Sequence, residues 1–248
     1  MDKLFDCEDA NFYREAIAKL KEHGVGFMVG GAFAVHHYTG CWRNTHDVDL
    51  YTTPERVESA GQALNAAGFL DIGEQAEGDR QWIYHSRKGR VIVDVIWRSA
   101  NLISYVTPDW FARAPMGTFA DAEVAFMPME ELVWIKVFVI NRHRCDWPDI
   151  LRILKSQCGK LDWDRLLDLL GENWPLMSAL ADVFDWQYPA RRDCIPERIR
   201  REFAQRRETW RATSTDVERE DLLDPWLHLR VKNHEIWCDE QPDDGPAR

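Results

Sequence analysis

No stretch of this sequence approaches the ~18 consecutive apolar residues that a membrane-crossing helix needs. A helical membrane protein is therefore not expected. The first residues, MDKLFDCEDANFYREA, show neither a basic leading segment nor an apolar core, so no secretory signal is expected and the chain is placed in the cytoplasm. There is no C-x-x-C pair. Cys7, Cys41, Cys145, Cys158, Cys194 and Cys238 are scattered and, with no secretory signal, are expected to be reduced thiols. No G-x-x-x-x-G-K-[ST] and no G-x-S-x-G occur, which sets aside P-loop and α/β-hydrolase chemistry. GVGFMVGG fails as a dinucleotide loop, because its first glycines precede the strand and position 29 is Val. His36, His37, Cys41 and His46 match no common zinc-ligand spacing.

Positive charge is also scarce. The 248 residues carry 31 Lys+Arg against 42 Asp+Glu, a net charge of −11. Such a chain is a poor general binder of nucleic acid or anionic lipid. The one basic segment is ERIRREFAQRRETWR, residues 197–211. It reads as a solvated helix face with ion pairs of its own, the alternative being an anchor for an RNA acceptor or a protein partner. Otherwise the composition is ordinary and globular, 45% hydrophobic and 29% charged. Twelve Trp are assigned to core and groove packing.

Periodicity predicts a helix over residues 10–23, a short strand over 25–30, and a helix opened by AFAVHHY after the Gly30-Gly31 turn. DVDLYT (47–52) predicts a strand, and Pro54 starts a helix that Gly68 stops. RQWIYHS (80–86) and RVIVDVIW (90–97) predict a hairpin around Gly89. Residues 98–127 read as loop and short strand. Helices are then expected at about 129–141, 147–156, 162–170, 175–185 and 196–210. The fold class is therefore α+β: a mixed sheet with helices over residues 1–127, a helical domain over 128–212, and an irregular acidic tail over 213–248, ending in a disordered DEQPDDGPAR.

The chemistry concentrates in VGGAFAVHHYTGCWRNTHDVDLY. A diglycine follows a strand and opens a helix; Arg43, Thr45, Asp47 and Asp49 come next. On a strand, residues two apart share a face, so Asp47 and Asp49 project together while Val48 and Leu50 face the core. Two adjacent carboxylates repel, and a hard divalent cation such as Mg²⁺ relieves that repulsion while leaving room for phosphate oxygens. Gly30 and Gly31 lack Cβ, so a phosphate could approach their backbone closely. Asp94, the one charge in VIVDVIW, is the candidate third carboxylate, since a lone charge in an apolar strand needs a partner or a metal. Arg43 suits phosphate or carboxylate equally, and Thr45 suits either a turn cap or the nucleotide.

This pattern of G-G, a short helix, R-x-T-x-D-x-D and a later strand Asp resembles the DNA-polymerase-β-type nucleotidyltransferase superfamily. Within it, the chain is most similar to the bacterial branch that holds the AbiEii-type toxin nucleotidyltransferases and many uncharacterised relatives. EELVWIKVFVINRHRCDWPDIL resembles the same branch, with a Lys on the first helix after the catalytic domain and a basic segment leading to D-x-x-D. The resemblance implies a nucleotidyltransferase-fold domain and transfer of an NMP from an NTP to an acceptor hydroxyl, with release of pyrophosphate. It implies Mg²⁺, or Mn²⁺ in its place, held by Asp47, Asp49 and Asp94. Gly30, Gly31, Arg43, Thr45 and Lys136 would hold the nucleotide, and Asp146 and Asp149 would stand near the mouth of the site. The acceptor is left open between a small molecule, a tRNA end and a protein, and a toxin-like member would have a neutralising protein partner. The rival reading is a catalytically silent nucleotide-binding or protein-interaction module of the same fold.

Overall fold

The computed structural model describes residues 7–45, 47–73, 79–141, 144–211 and 216–223. Helix α1 (Cys7–Glu22) leads into strand β1 (Met28–Val29), and α2 (Gly31–Thr39) starts two residues after it. Strand β2 (Asp47–Tyr51), α3 (Val57–Ala66) and β3 (Leu70–Asp71) follow. The hairpin of β4 (Ile83–Lys88) and β5 (Val91–Ile96) turns at Gly89-Arg90, with Gly89 at φ +60. The stretch expected to be loop and short strand holds α4 (Pro108–Arg113), β6 (Met116–Phe119) and β7 (Ala122–Phe126).

The seven strands form one mixed sheet in the order β3-β4-β5-β2-β1-β7-β6. The β2–β5 and β1–β7 pairs are parallel, and the others antiparallel. The two-residue alternation sets the sheet's faces. Tyr84 and its partner Val95 lie on the face that α3 covers, where Tyr84 packs beside Gly61. Val48 and Leu50 are buried at 1% and 2% exposure. Burial of such a side chain stabilises by about 1.5–3 kcal/mol, which fixes the strand register and turns the aspartates of β2 to the opposite face.

The C-terminal part is helical, as expected: α5 (Met129–Val137), α6 (Trp147–Ser156), α7 (Trp163–Leu170), α8 (Trp174–Gln187) and α9 (Glu197–Thr209). Helix α5 stops at Val137 rather than 141. The chain there turns back on itself, with Asp146 N–H donating to the Val139 carbonyl at 2.8 Å and Ile140 bridging to Cys145. Helix α6 packs on α2. Buried Glu131 of α5 is gripped by Arg165 of α7, which also reaches Asp109 of α4 at 2.7 Å.

Two expectations are corrected. Cys158 and Cys194 are joined in a disulfide across 36 residues, with Cα atoms 4.5 Å apart. The turn 189–194 folds back onto the end of α6, a non-local approach that cysteine spacing does not encode. Cys41 and Cys145 are free and exposed. The tail expected to be irregular over 213–248 holds a helix, α10 (Asp216–Leu223). The stretch expected to be disordered, DEQPDDGPAR, lies outside the described residues. Among the described residues no helix is long and apolar enough to cross a membrane.

Candidate active site

The sheet assembles the carboxylates. Asp49 on β2 is the register partner of Asp94 on the parallel neighbour β5, and Asp47 lies two residues along the same face. Burial, then the charges of Asp47 and Asp94, push the Asp49 carboxyl up to about 7, with Arg144 and Lys136 pulling the other way. Asp47 and Asp94 each have a local partner. Thr45 Oγ1 donates to Asp47 Oδ1. His85, opposite Asp94 on β4, places its Nδ1 2.8 Å from Asp94 Oδ1.

The diglycine has a packing reason. Gly31 sits at φ +52, and a Cβ there would overlap the Asp49 carboxylate; a Cβ on Gly30 would overlap the Tyr51 ring. The Gly30 N–H is also committed, donating to the Asp49 carbonyl at 2.8 Å. An anion at this corner would meet the N–H groups of the first turn of α2 instead, where the helix end carries partial positive charge.

A cleft of about 450 Å³ opens beside these residues, lined by Ala32, Arg43, Thr45, Asp47 and Asp49 together with Arg144, Cys145, Asp146, Pro148, Asp149 and Arg152. Lys136 is not on its wall. It is buried at 3% exposure, with Nζ 2.5 Å from Asp146 Oδ2 and 3.0 Å from Asp149 Oδ2. Those two carboxylates in turn hold the arginines. Arg144 makes a bidentate pair with Asp146, both contacts at 2.8 Å. Arg43 Nε lies 3.6 Å and Arg152 4.0 Å from Asp149. Burial alone would raise the Asp146 carboxyl, but Lys136 and Arg144 outweigh it and hold it below its ordinary range.

The structure thus brings Gly30, Gly31, Arg43, Thr45, Asp47, Asp49 and Asp94 to one corner and sets Lys136 behind the Asp146/Asp149 pair. Among the described residues no three His, Cys, Asp or Glu side chains are gathered closely enough to hold a metal as they stand. The donor chemistry nevertheless fits a hard divalent cation: carboxylate oxygens from adjacent strands, with the Asp49 carboxyl raised first by burial and then by the charges of Asp47 and Asp94. Sequence reasoning missed His85, Arg144 and Arg152. His85 was legible in principle, since a two-residue turn at Gly89-Arg90 puts residue 85 opposite residue 94.

The basic helix α9 is engaged in ion pairs. Arg198 pairs with Asp164 of α7, Arg200 with Asp185 and Arg207 with Asp182 of α8, and Arg206 with Glu202 on α9 itself.

By its match to the family model described as an uncharacterised nucleotidyltransferase, over residues 13–180, the chain belongs to that nucleotidyltransferase family. No curated protein matches it. Among solved structures, it is similar to the antibiotic-resistance factor ANT(2'')-Ia in solution, at 17% identity and TM-score 0.42, over 75% of this chain and 96% of that one. It is similar to the lincosamide antibiotic adenylyltransferase LnuA with lincomycin bound, at 15% identity and TM-score 0.42, over 59% and 95%. JHP933 from Helicobacter pylori aligns at 11% identity and TM-score 0.44, over 91% of each chain.

Proposed function

We propose that the chain transfers a nucleoside monophosphate from an NTP to an acceptor hydroxyl and releases pyrophosphate, using Mg²⁺ or Mn²⁺ at Asp47, Asp49 and Asp94. The observation that carries the reading is that Asp47 and Asp49 line a cleft together with Arg144 and Arg152, while Asp94 on the parallel neighbour β5 is in register with Asp49. When bound, the cation would neutralise phosphate charge and favour the deprotonated acceptor hydroxyl.

The chain's own residues do the rest. Arg43, Arg144 and Arg152 would meet the phosphates with the guanidinium N–H groups that Asp146 and Asp149 do not use, the two carboxylates fixing how they are aimed. The first turn of α2 supplies N–H groups to the same anion. Lys136 acts at one remove, by fixing the carboxylates that aim Arg144 and Arg43. Asp94 accepts the acceptor's proton. The hydroxyl oxygen bonds to the α-phosphorus as the bond from that phosphorus to pyrophosphate breaks.

The acceptor class that fits best is a small hydroxylated molecule. A tRNA end would draw on the basic helix, and Arg198, Arg200, Arg206 and Arg207 are already matched to carboxylates. The test is pyrophosphate release from each of the four NTPs with a panel of acceptors, for wild type and Asp94→Asn. Mg²⁺-dependent release, reduced at least about 100-fold in Asp94→Asn, is expected. Full turnover by that variant would remove Asp94 from the reaction. Nucleotide binding with no release from any NTP would favour the silent module.

A further inference from the structure

Three strands place three polar side chains in one row across the sheet. Asp49 on β2 is in register with Asp94 on β5, and Asp94 with His85 on β4. His85 is thus the outermost member of the carboxylate row. Its Nδ1 lies 2.8 Å from Asp94 Oδ1, with side-chain exposures of 26% for His85 and 9% for Asp94. On the same face of β4, His85 is flanked by Ile83, which is buried and paired with buried Ile96 of β5, and by the exposed Arg87, paired with Ile92.

We propose that His85 is a positioning residue for the Asp94 carboxylate, holding Oδ1 so that the group is presented toward Asp49 for the divalent cation. The proposal rests on the nucleotidyl-transfer reading above and concerns the same site. The physical basis is that a ligating carboxylate has several rotamers of similar energy. A hydrogen bond from an outer partner selects one, so less orientation is lost when the cation binds. Rigid strand backbone on both sides of the pair makes β4 a suitable mount, because the ring and the carboxylate are fixed by the same hairpin ladder. His85 need not touch substrate to do this.

A purely structural role, satisfying a buried Asp, would leave cation affinity unmoved once the protein is folded. The experiment therefore reads Mn²⁺ affinity by electron paramagnetic resonance, with and without an NTP, alongside metal-free melting curves. It compares wild type, His85→Leu and His85→Asn. Asparagine keeps an N–H donor near the place of Nδ1. Outer-partner substitutions at metal sites typically weaken binding by about 10–100-fold. His85→Leu is expected to lose Mn²⁺ affinity in that range, and His85→Asn to recover most of it, with the metal-free melting curves of the two variants alike. Wild-type affinity in a folded His85→Leu overturns the proposal and leaves the functional reading intact. Equal loss in both variants overturns it too, since the donor would then not be the active feature. Absence of Mn²⁺ binding in the wild type overturns the functional reading, and the proposal with it.

Discussion

The carboxylate of Asp49 occupies the volume that a side chain on residue 31 would fill, so Gly31 and Asp49 are fitted to one another. Gly31 also sits at φ +52, a backbone region that costs an L-residue roughly 1–2 kcal/mol. Gly31→Ala is therefore expected to lower stability by at least about that amount and to displace Asp49. Urea unfolding measures the first effect, and NTP-dependent stabilisation reads the second. A variant with wild-type stability and an unchanged response to nucleotide would show that the contact is not required.

Lys136 has two buried carboxylates within 3.0 Å. Removing one member of a buried ionic cluster costs about 3–5 kcal/mol, because charge is left uncompensated. Lys136→Met is expected near the lower end, since Arg144 still pairs with Asp146. The triple variant Lys136→Met/Asp146→Asn/Asp149→Asn is expected to regain part of the loss in urea unfolding. A triple variant less stable than Lys136→Met would contradict this picture of the cluster.

The same cluster sets a pH dependence. Asp146 is held below the ordinary carboxyl range in the folded state. Its ion pairs therefore contribute fully above the unfolded value of ~3.9, and the contribution is lost as pH falls through the lower folded value. The stability difference between wild type and Asp146→Asn is expected to be flat from about pH 5 to 7 and to shrink below about pH 4. Urea unfolding across that range tests it; a difference that grows on acidification would reverse the sign.

The disulfide gives a redox-dependent stability. Closing a loop of 36 residues is expected to stabilise the fold by about 2–4 kcal/mol. Melting with and without reductant, and of Cys194→Ala, measures it. A melting temperature indifferent to reductant would mean that the bond contributes nothing.

Much of the site was legible because its signals are local. D-V-D-L-Y alternates with the period of a strand, and Gly30-Gly31 punctuates a strand and a helix. Strand β5 was legible for the same reason, Asp94 standing alone among apolar residues. What escaped was non-local. Strand β7 is defined by its parallel pairing with β1, nearly 100 positions earlier, and β6 is an edge strand with Met116 exposed at 58%. Neither carries a strong alternating pattern. Lys136 was expected to hold the nucleotide; its burial behind Asp146 and Asp149 depends on the return of residues 144–149, which no helical period describes.

The central claim is tested most directly by thermal stability with each of the four NTPs, with and without Mg²⁺, for wild type and Asp47→Asn/Asp49→Asn. A ligand at 100 times its dissociation constant adds about 2.7 kcal/mol, well within reach of a melting curve. The account expects a Mg²⁺-dependent rise with at least one NTP that disappears in the double variant. No rise with any NTP, or a rise that the double variant retains, would contradict it.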